Sequence, residues 1–333
     1  MNKQSPIPVT LVSGFLGSGK TTLLNKILGS DHGLRMAVMV NDFGAINIDS
    51  ELIVSQTQTT LSLANGCICC TVESDLIEQL GRLLGDRQNR PEYILIEASG
   101  VSSPGKIART LKYPQFRDAL SIDSIITVVD TEQFGQLEGE MAQLAMDQLD
   151  VADIIVLNKV DRVERSQIEA LKSRWLYPRA RMLECQYGDV PLELVLGVGR
   201  GNPLASFTPV KAASAPSLGG HAADHASVFE SWSFASDRPM ALDTLRATLA
   251  QLPASIYRAK GTLHIAEVPG KRFIMHLVGS RCEILPDRAW GDETPHTRLV
   301  CIGKRGTLAP EALEAGFQAC VVHTNDKLYS HHG

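Results

Sequence analysis

The sequence predicts an α/β fold, with a parallel sheet covered by helices on both faces and a smaller α+β domain after it. In the first half of the chain, short apolar runs alternate with helical patterns. These runs are nearly continuous, which is typical of parallel strands buried on both faces. Beyond residue 200 the composition shifts to Gly, Ala, Ser and Pro, and further strand and helix patterns follow that segment.

The composition limits the classes of protein to consider. The chain has 333 residues, of which 44% are hydrophobic and 21% charged, and its formal net charge is −5. This charge gives no reason to expect a nucleic-acid or membrane partner. No apolar run is long enough to span a bilayer, and the N-terminus lacks the pattern of a signal peptide. We therefore expect a cytoplasmic protein, in which clustered cysteines are more often metal ligands or reactive groups than disulfides.

The first domain is predicted over residues 1–200. After its first strand, TTLLNKIL predicts a helix with Leu23, Leu24, Ile27 and Leu28 on one face. The predicted strands are IPVTLVSG, RMAVMV, YILIEA, SIITVVD and DIIVLNK.

A linker is predicted over residues 201–227, a second domain over 228–325 and a tail over 326–333. The second domain has two predicted helices, ALDTLRATLAQL and PEALEAGF. Its predicted strands are VFESWSF, GTLHIAEV, RFIMHLV and RLVCIG.

A phosphate-binding loop is predicted where the first strand meets the first helix. The stretch GFLGSGKT matches G-x-x-x-x-G-K-S/T. In this P-loop, glycines turn backbone N–H groups towards phosphates, the lysine reaches the β- and γ-phosphates, and the hydroxyl can bind Mg²⁺. We therefore predict the parallel sheet of a P-loop NTPase. The predicted nucleotide-binding residues of this loop are Gly14, Gly17, Ser18, Gly19, Lys20, Thr21 and Thr22.

Two further motifs follow in the order that such a site needs. In ILIEASG, Glu97 ends an apolar strand and is predicted to hold Mg²⁺ together with Thr21, while the N–H of Gly100 is predicted to contact the γ-phosphate. In VLNKVD, Asn158, Lys159 and Asp161 follow another strand. Asp161 can accept both the N1–H and the amino group of guanine, and the Lys159 stem can cover the ring. These motifs favour GTP and GDP over adenine nucleotides.

The sequence assigns no catalytic base. In many GTPases a glutamine shortly after the glycine of the second motif, here Gly100, orients the attacking water. Here Gly100 is followed by VSSPGK, which contains no glutamine. We therefore predict a slow intrinsic rate of hydrolysis.

A cysteine cluster lies between these motifs, in LANGCICCTV. Three thiols in four residues, Cys67, Cys69 and Cys70, can supply two or three ligands to a soft metal such as Zn²⁺ or Cu⁺. Two other interpretations stay open: buried hydrophobic cysteines, and a redox pair with the C-x-x-C spacing of Cys67 and Cys70. We interpret the four scattered cysteines as packing residues: Cys185, Cys282, Cys301 and Cys320.

The sequence resembles the CobW-type GTPases, a family of metallochaperones. The resemblance lies in GFLGSGKTT, NDFG, NGCICC, IEASG and NKVD, and it extends to RAKG, Trp290 and LVCIGKR in the second half. It implies a GTP-dependent carrier that delivers Zn²⁺, or for some members Co²⁺, to a client metalloprotein. It also implies that Cys67, Cys69 and Cys70 carry the metal and that Asp42 lies beside the metal and the nucleotide. Members often self-associate, so a homo-oligomer is possible, and the sequence leaves the oligomeric state open.

The chain departs from this family in its histidines. Many members have a dense histidine run in the linker, and this chain has only His221 and His225 there, with His331 and His332 at its end. A rich metal-storage loop is therefore not predicted.

Three alternative functions stay open at this stage. One is a regulatory GTP switch with a structural zinc. Another is a kinase-like enzyme, against which the N-K-x-D motif argues. The third is an accessory protein in cobalamin synthesis or nitrile hydratase maturation, which differs mainly in its client and its metal.

Overall fold

The computed structural model describes residues 5–30, 32–40, 60–62, 72–86, 88–175, 180–197 and 229–322. The chain divides into two compact units, Met1–Gly197 and Val198–Gly333. The predicted linker at 201–227 and the predicted tail at 326–333 lie outside the described residues, so the detailed boundaries stay predictions.

A seven-stranded sheet forms the centre of the first unit. Its strands are β1 (Ile7–Ser13), β2 (Met36–Val40), β3 (Thr60–Ser62), β4 (Tyr93–Glu97), β5 (Leu120–Asp130), β6 (Ile154–Asn158) and β7 (Met182–Glu184). They lie in the order β3-β2-β4-β1-β5-β6-β7, and every neighbouring pair is parallel. The five predicted strands are present. β3 and β7, which are three-residue strands at the two edges, are not among the strands listed from the sequence.

Helices connect these strands. They are α1 (Lys20–Leu28), α2 (Val72–Gly85), α3 (Pro104–Leu111), α4 (Gly139–Asp150), α5 (Arg165–Trp175) and α6 (Leu192–Val195). The four apolar residues predicted to share one face of α1 are all buried. α3 begins at Pro104, whose fixed φ and missing N–H suit a first helical turn.

The core explains why the central strands are apolar almost throughout. Leu11 and Ile96 belong to a cluster with the apolar residues of α2 and α3. Their neighbours along the strands, Val12 and Leu95, point to the opposite side of the sheet and are fully buried too. Both faces of the sheet are therefore covered, and the predicted fold class is confirmed.

A buried polar network fastens the end of the first unit to this sheet. The Tyr93 hydroxyl donates to the Asp123 carboxylate and lies 2.8 Å from the Thr10 hydroxyl. The N–H of Gly197 donates to Asp123 Oδ2 at 2.6 Å, and Thr10 Oγ1 donates to the carbonyl of Val195 at 3.0 Å. Residues from β1, β4 and β5 thus hold the last residue of α6 and Gly197, which follows it.

The second unit is a five-stranded antiparallel sheet with helices packed on it. Its strands are β8 (Phe229–Ser236), β9 (Ile256–His264), β10 (Lys271–Val278), β11 (Arg281–Ala289) and β12 (Thr297–Lys304), and its helices are α7 (Leu242–Ala250) and α8 (Pro310–Gln318). The strand order is β11-β10-β9-β12-β8. The Phe317 ring of α8 lies 5.6 Å from Trp232 and 5.5 Å from Phe234 on β8, which anchors this helix to the sheet.

Two details of this sheet differ from the prediction. The strand predicted from Gly261 begins at Ile256, because Gly261 lies inside β9. A Cβ at Gly261 would stand 2.2 Å from the Arg298 carbonyl oxygen, so this glycine permits close approach of β12. The sequence also missed β11, an edge strand that contains Pro286 and exposed charged residues.

Across the described parts of the chain, no helix combines the length and the apolar character needed to cross a membrane.

The buried polar network generates a stability prediction. Tyr93→Phe removes the hydroxyl and leaves Asp123 without one of its donors inside the fold. We expect the free energy of unfolding in urea to fall by about 1–3 kcal/mol. Tyr187→Phe is the matched control, because the Tyr187 side chain is 68% exposed. Equal stability of the two variants would contradict a structural role for the network.

Candidate functional site

The sequence motifs converge at one edge of the parallel sheet. Strands that run parallel place their carboxyl ends at the same edge. In register, Val12 pairs with Glu97 and Asp130 pairs with Asn158, while Ser13, the last residue of β1, pairs with Thr127. The ends of β1, β4, β5 and β6 therefore lie side by side, and the loops that follow them form the candidate site.

The glycines of the P-loop hold a backbone that other residues could not adopt. Gly14, Gly17 and Gly19 have φ values of 141°, 71° and 101°. A Cβ at Gly14 would lie 2.2 Å from the Val128 carbonyl oxygen, and one at Gly19 would lie 2.3 Å from Asn158 Nδ2. The loop is thus a tight backbone cradle at the amino end of α1, which is the structure that binds phosphate.

Three polar residues at the start of α1 differ in their surroundings. The buried Lys20 donates from Nζ to the Phe15 carbonyl oxygen at 3.2 Å. The hydroxyl of Ser18 is also buried and makes no hydrogen bond to the described residues. Thr22 is exposed. The Lys20 ammonium group therefore lies against the backbone of the P-loop itself.

A pair of oxygen ligands fits the predicted Mg²⁺ position. Thr21 Oγ1 donates to Glu97 Oε1 at 2.9 Å, and the Glu97 side chain is only 2% exposed. A hydroxyl and a carboxylate at hydrogen-bonding distance are the hard oxygen donors that Mg²⁺ prefers. The structure therefore brings together the two residues predicted to hold this ion.

The Gly100 turn (residues 99–102) packs directly on the P-loop. A Cβ at Gly100 would lie 2.8 Å from the backbone nitrogen of Leu16 and 2.9 Å from its Cα. Only glycine permits this approach without displacing backbone. Glu97 and Gly100, singled out by the same motif, are thus both placed against the P-loop.

Asn158 connects three segments of the site. Its Nδ2 donates to the Ser18 carbonyl oxygen at 2.9 Å, and its Oδ1 accepts the Gly188 N–H at 3.1 Å. The Cys185 thiol also donates to Oδ1, with Sγ at 3.4 Å. The side chain of Asn158 is therefore occupied in joining the P-loop to the segment after β7.

The two other residues of the N-K-x-D motif lie at the rim. Lys159 has a left-handed backbone, with φ 61°, and its Nζ lies 2.6 Å from Asp130 Oδ2. Asp161 is exposed in the short helical turn Val160–Arg162. Its carboxylate is therefore accessible, as recognition of a guanine edge requires.

Sequence reasoning singled out neither Asp130 nor Gly188. Asp130 is buried, and its Oδ1 accepts the N–H groups of Glu132 and Gln133 while Oδ2 pairs with Lys159. Its position at the end of an apolar strand was the available signal. A Cβ at Gly188 would lie 2.8 Å from the Leu23 nitrogen, so this glycine seats its loop against α1.

The predicted metal ligands Cys67, Cys69, Cys70 and Asp42 lie outside the described residues, as do His221, His225, His331 and His332. Within the part of the chain that the structure describes, no group of three or more His, Cys, Asp or Glu residues could hold a metal ion. Of the four scattered cysteines, Cys185, Cys301 and Cys320 are buried. The interpretation of Cys282 as a packing residue is wrong, because this thiol is exposed on the edge strand β11.

Comparison with known proteins decides the family. The profile described as "CobW/HypB/UreG, nucleotide-binding domain" matches residues 8–182, and that of the "Cobalamin synthesis protein cobW C-terminal domain" matches residues 229–321. This chain belongs to the CobW/HypB/UreG family. The family and the GTPase predicted from the sequence are thereby confirmed.

The relatives of this CobW/HypB/UreG member include proteins named for zinc. "Zinc chaperone CobW" of Sinorhizobium is 32% identical over 337 residues, which cover 90% of this chain and 93% of that protein. "Zinc-regulated GTPase metalloprotein activator 1" of Dictyostelium discoideum is 32% identical over 339 residues, covering 87% and 70%. The crystal structure of Zn(II)-bound YjiA GTPase from E. coli is 29% identical, covers 96% of this chain and 100% of that one, and has a TM-score of 0.41.

The buried thiols generate a prediction about reactivity and pH. Burial raises the pKa of Cys185 and of Cys301 from an ordinary 9.0 to about 12. Burial also raises the pKa of Cys282, so the difference in reactivity rests on access to the thiol. Cys185 and Cys301 should resist iodoacetamide at about pH 8, while the exposed Cys282 is alkylated. Mass spectrometry of the digested protein measures this. Alkylation of Cys185 as fast as Cys282 would contradict the prediction.

The raised pKa of Cys185 and Cys301 in the folded state also makes stability depend on pH. The contribution of these two thiols to stability is present below pH 9.0 and is lost as pH rises towards about 12.

Proposed function

We propose that this chain is a slowly hydrolysing GTPase that binds Zn²⁺ through Cys67, Cys69 and Cys70 and delivers it to a client metalloprotein. The observation that carries the proposal is the common sheet edge. Val40, two residues before Asp42, pairs in register with Glu97. The connection that contains the cysteines begins after Ser62, on a strand parallel to β2. The segment that leads to Asp42 and the segment that leads to the cysteines therefore both start at the sheet edge where the P-loop lies.

The nucleotide part of the proposal follows from the cradle. The P-loop N–H groups and Lys20 bind the phosphates, with the phosphate oxygens replacing the Phe15 carbonyl as the acceptor for Lys20. Thr21 and Glu97 hold Mg²⁺, which neutralises charge on the β- and γ-phosphates. Gly100 contacts the γ-phosphate. Asp161 accepts the two guanine donors, and Lys159 covers the ring.

The metal part rests on the donor set. Thiolates are soft ligands that suit Zn²⁺, and three of them leave room for an exchanging ligand, as a carrier requires. Co²⁺, which some members of the resembled family carry, is the second metal to test. The names of the relatives, zinc chaperone and metalloprotein activator, support zinc as the cargo and a metalloprotein as the client. We also propose that the chain associates with copies of itself and acts in the cytoplasm.

Coupling between the two sites is expected through the loops after β2 and β3. In this proposal the γ-phosphate is contacted by groups at the end of β4, which is the direct neighbour of β2 in the sheet. The nucleotide and the segments that carry the metal ligands therefore lie at the same sheet edge. Such coupling must be reciprocal: if GTP changes the affinity for Zn²⁺, then Zn²⁺ changes the affinity for GTP by the same factor.

The P-loop assignment generates a direct prediction. Lys20→Ala removes the cation that faces the phosphates and should weaken GTP and GDP binding by at least roughly 100-fold in calorimetric titration. Lys26→Ala is the matched control, because Lys26 lies on the same helix, is half exposed and pairs only at the surface with Asp189. Unchanged affinity in Lys20→Ala would exclude the predicted phosphate site.

The zinc carrier is tested by competition with a chromophoric chelator. Zn²⁺ affinity would be measured without nucleotide, with Mg²⁺–GDP and with Mg²⁺ plus a non-hydrolysable GTP analogue. We expect a difference of roughly 5- to 150-fold between the nucleotide states, which is the usual range of coupling between sites. Substitution of Cys67, Cys69 and Cys70 by serine should abolish tight binding. Cys282→Ser, which removes an exposed thiol outside the motif, should leave it unchanged. Tight zinc binding that ignores the nucleotide would indicate a structural zinc in a regulatory switch instead.

A further inference from the structure

A line of buried hydrogen bonds runs beneath the candidate site. Thr127 Oγ1 on β5 donates to the Gln148 carbonyl oxygen on α4 at 2.8 Å, and the Ser13 hydroxyl lies 2.9 Å from Thr127 Oγ1. The single hydroxyl proton of Thr127 is used on Gln148, so Ser13 is the donor in the second bond. Ser13, Thr127 and Gln148 are each at most 1% exposed.

Gln148 carries this line to the Gly100 turn. Its Nε2 lies 3.1 Å from the Gly100 carbonyl oxygen and 3.1 Å from the Ser102 carbonyl oxygen. A side-chain amide has two N–H donors, and both are therefore used on the same turn. The turn is held from below by Gln148 and is packed from the side against Leu16 of the P-loop.

The arrangement links the two loops that the proposed function assigns to the γ-phosphate. Ser13 is the residue immediately before Gly14, where the P-loop begins. The chain of hydrogen bonds thus joins the start of the P-loop to the Gly100 turn without passing through solvent. Inside a protein such a network fixes geometry strongly, because an unsatisfied carbonyl there is costly.

We propose that Gln148 is a positioning residue that orients the Gly100 turn for the γ-phosphate and so lets the site distinguish GTP from GDP. The inference rests on the proposed function, because it deepens the role assigned to Gly100. Gln148 contacts no reacting atom in this scheme: it holds two carbonyls of the turn, and the Gly100 N–H makes the contact with the phosphate. GDP lacks the γ-phosphate, so its binding does not depend on that orientation.

The test replaces Gln148 by methionine, which has a similar length and no amide donor. Affinities for Mg²⁺–GDP and for Mg²⁺ with a non-hydrolysable GTP analogue would be measured by titration. For Gln148→Met we expect a roughly tenfold loss of affinity for the analogue, as for one or two lost hydrogen bonds, with GDP affinity within about twofold of wild type. Gln143→Met is the matched control: the same substitution on the same helix removes only an exposed hydrogen bond to Asp147.

A second variant keeps the inference testable if Gln148→Met does not fold. Thr127→Val preserves shape and removes the hydroxyl that holds the Gln148 backbone, so a smaller shift of the GTP-to-GDP affinity ratio in the same direction is expected. An unchanged ratio in the folded variants, or equal losses for both nucleotides, would overturn the role of Gln148 while leaving the proposed GTPase site intact. Failure of the wild-type chain to bind the GTP analogue would instead overturn the proposed function itself.

Discussion

The parallel pairing of the strands in the first unit is the constraint on which the site depends. Because neighbouring strands run in the same direction, each strand delivers its last residue to one edge of the sheet. Motifs that are far apart in the sequence therefore meet at this edge as a direct consequence of the parallel pairing. The strand ends assembled in this way are Ser13, Val40, Ser62, Glu97, Asp130 and Asn158. An antiparallel sheet of the same strands would divide these ends between two edges.

Side chains and close backbone approaches then fix the loops that leave this edge. The P-loop depends on Asn158 for its Ser18 carbonyl and on bare glycine backbone at Gly14 and Gly19. The Gly100 turn similarly depends on Gln148 and on close packing against Leu16. Each of these contacts contributes little alone. Together they fix the backbone of the P-loop and of the Gly100 turn, which reduces the conformational entropy lost when a nucleotide binds.

The two units show how differently a sequence signals its strands. The buried parallel strands carry long apolar runs, since both faces must be covered, and the sequence predicted all the central ones. Edge strands are covered less completely and tolerate polar residues and proline, as β11 does with Pro286. The predicted strand begins at Gly261, whereas β9 begins at Ile256, because the small size of Gly261 serves the close approach of β12 inside the strand. These errors share one cause: whether a segment forms a strand there depends on a neighbouring strand that is distant in the sequence.

The sequence by itself determined the fold class, the order of the motifs and the family, because these depend on local patterns of apolar residues, glycines and polar groups at fixed spacing. It also singled out Lys20, Thr21 and Glu97 from their chemistry. Only the tertiary structure decided that Asn158 joins loops, that Asp130 pairs with Lys159 and that Gln148 holds the Gly100 turn. These partners come from different strands and helices and meet only when the chain folds. No local pattern encodes a hydrogen bond between Asn158 and Ser18, which are 140 residues apart.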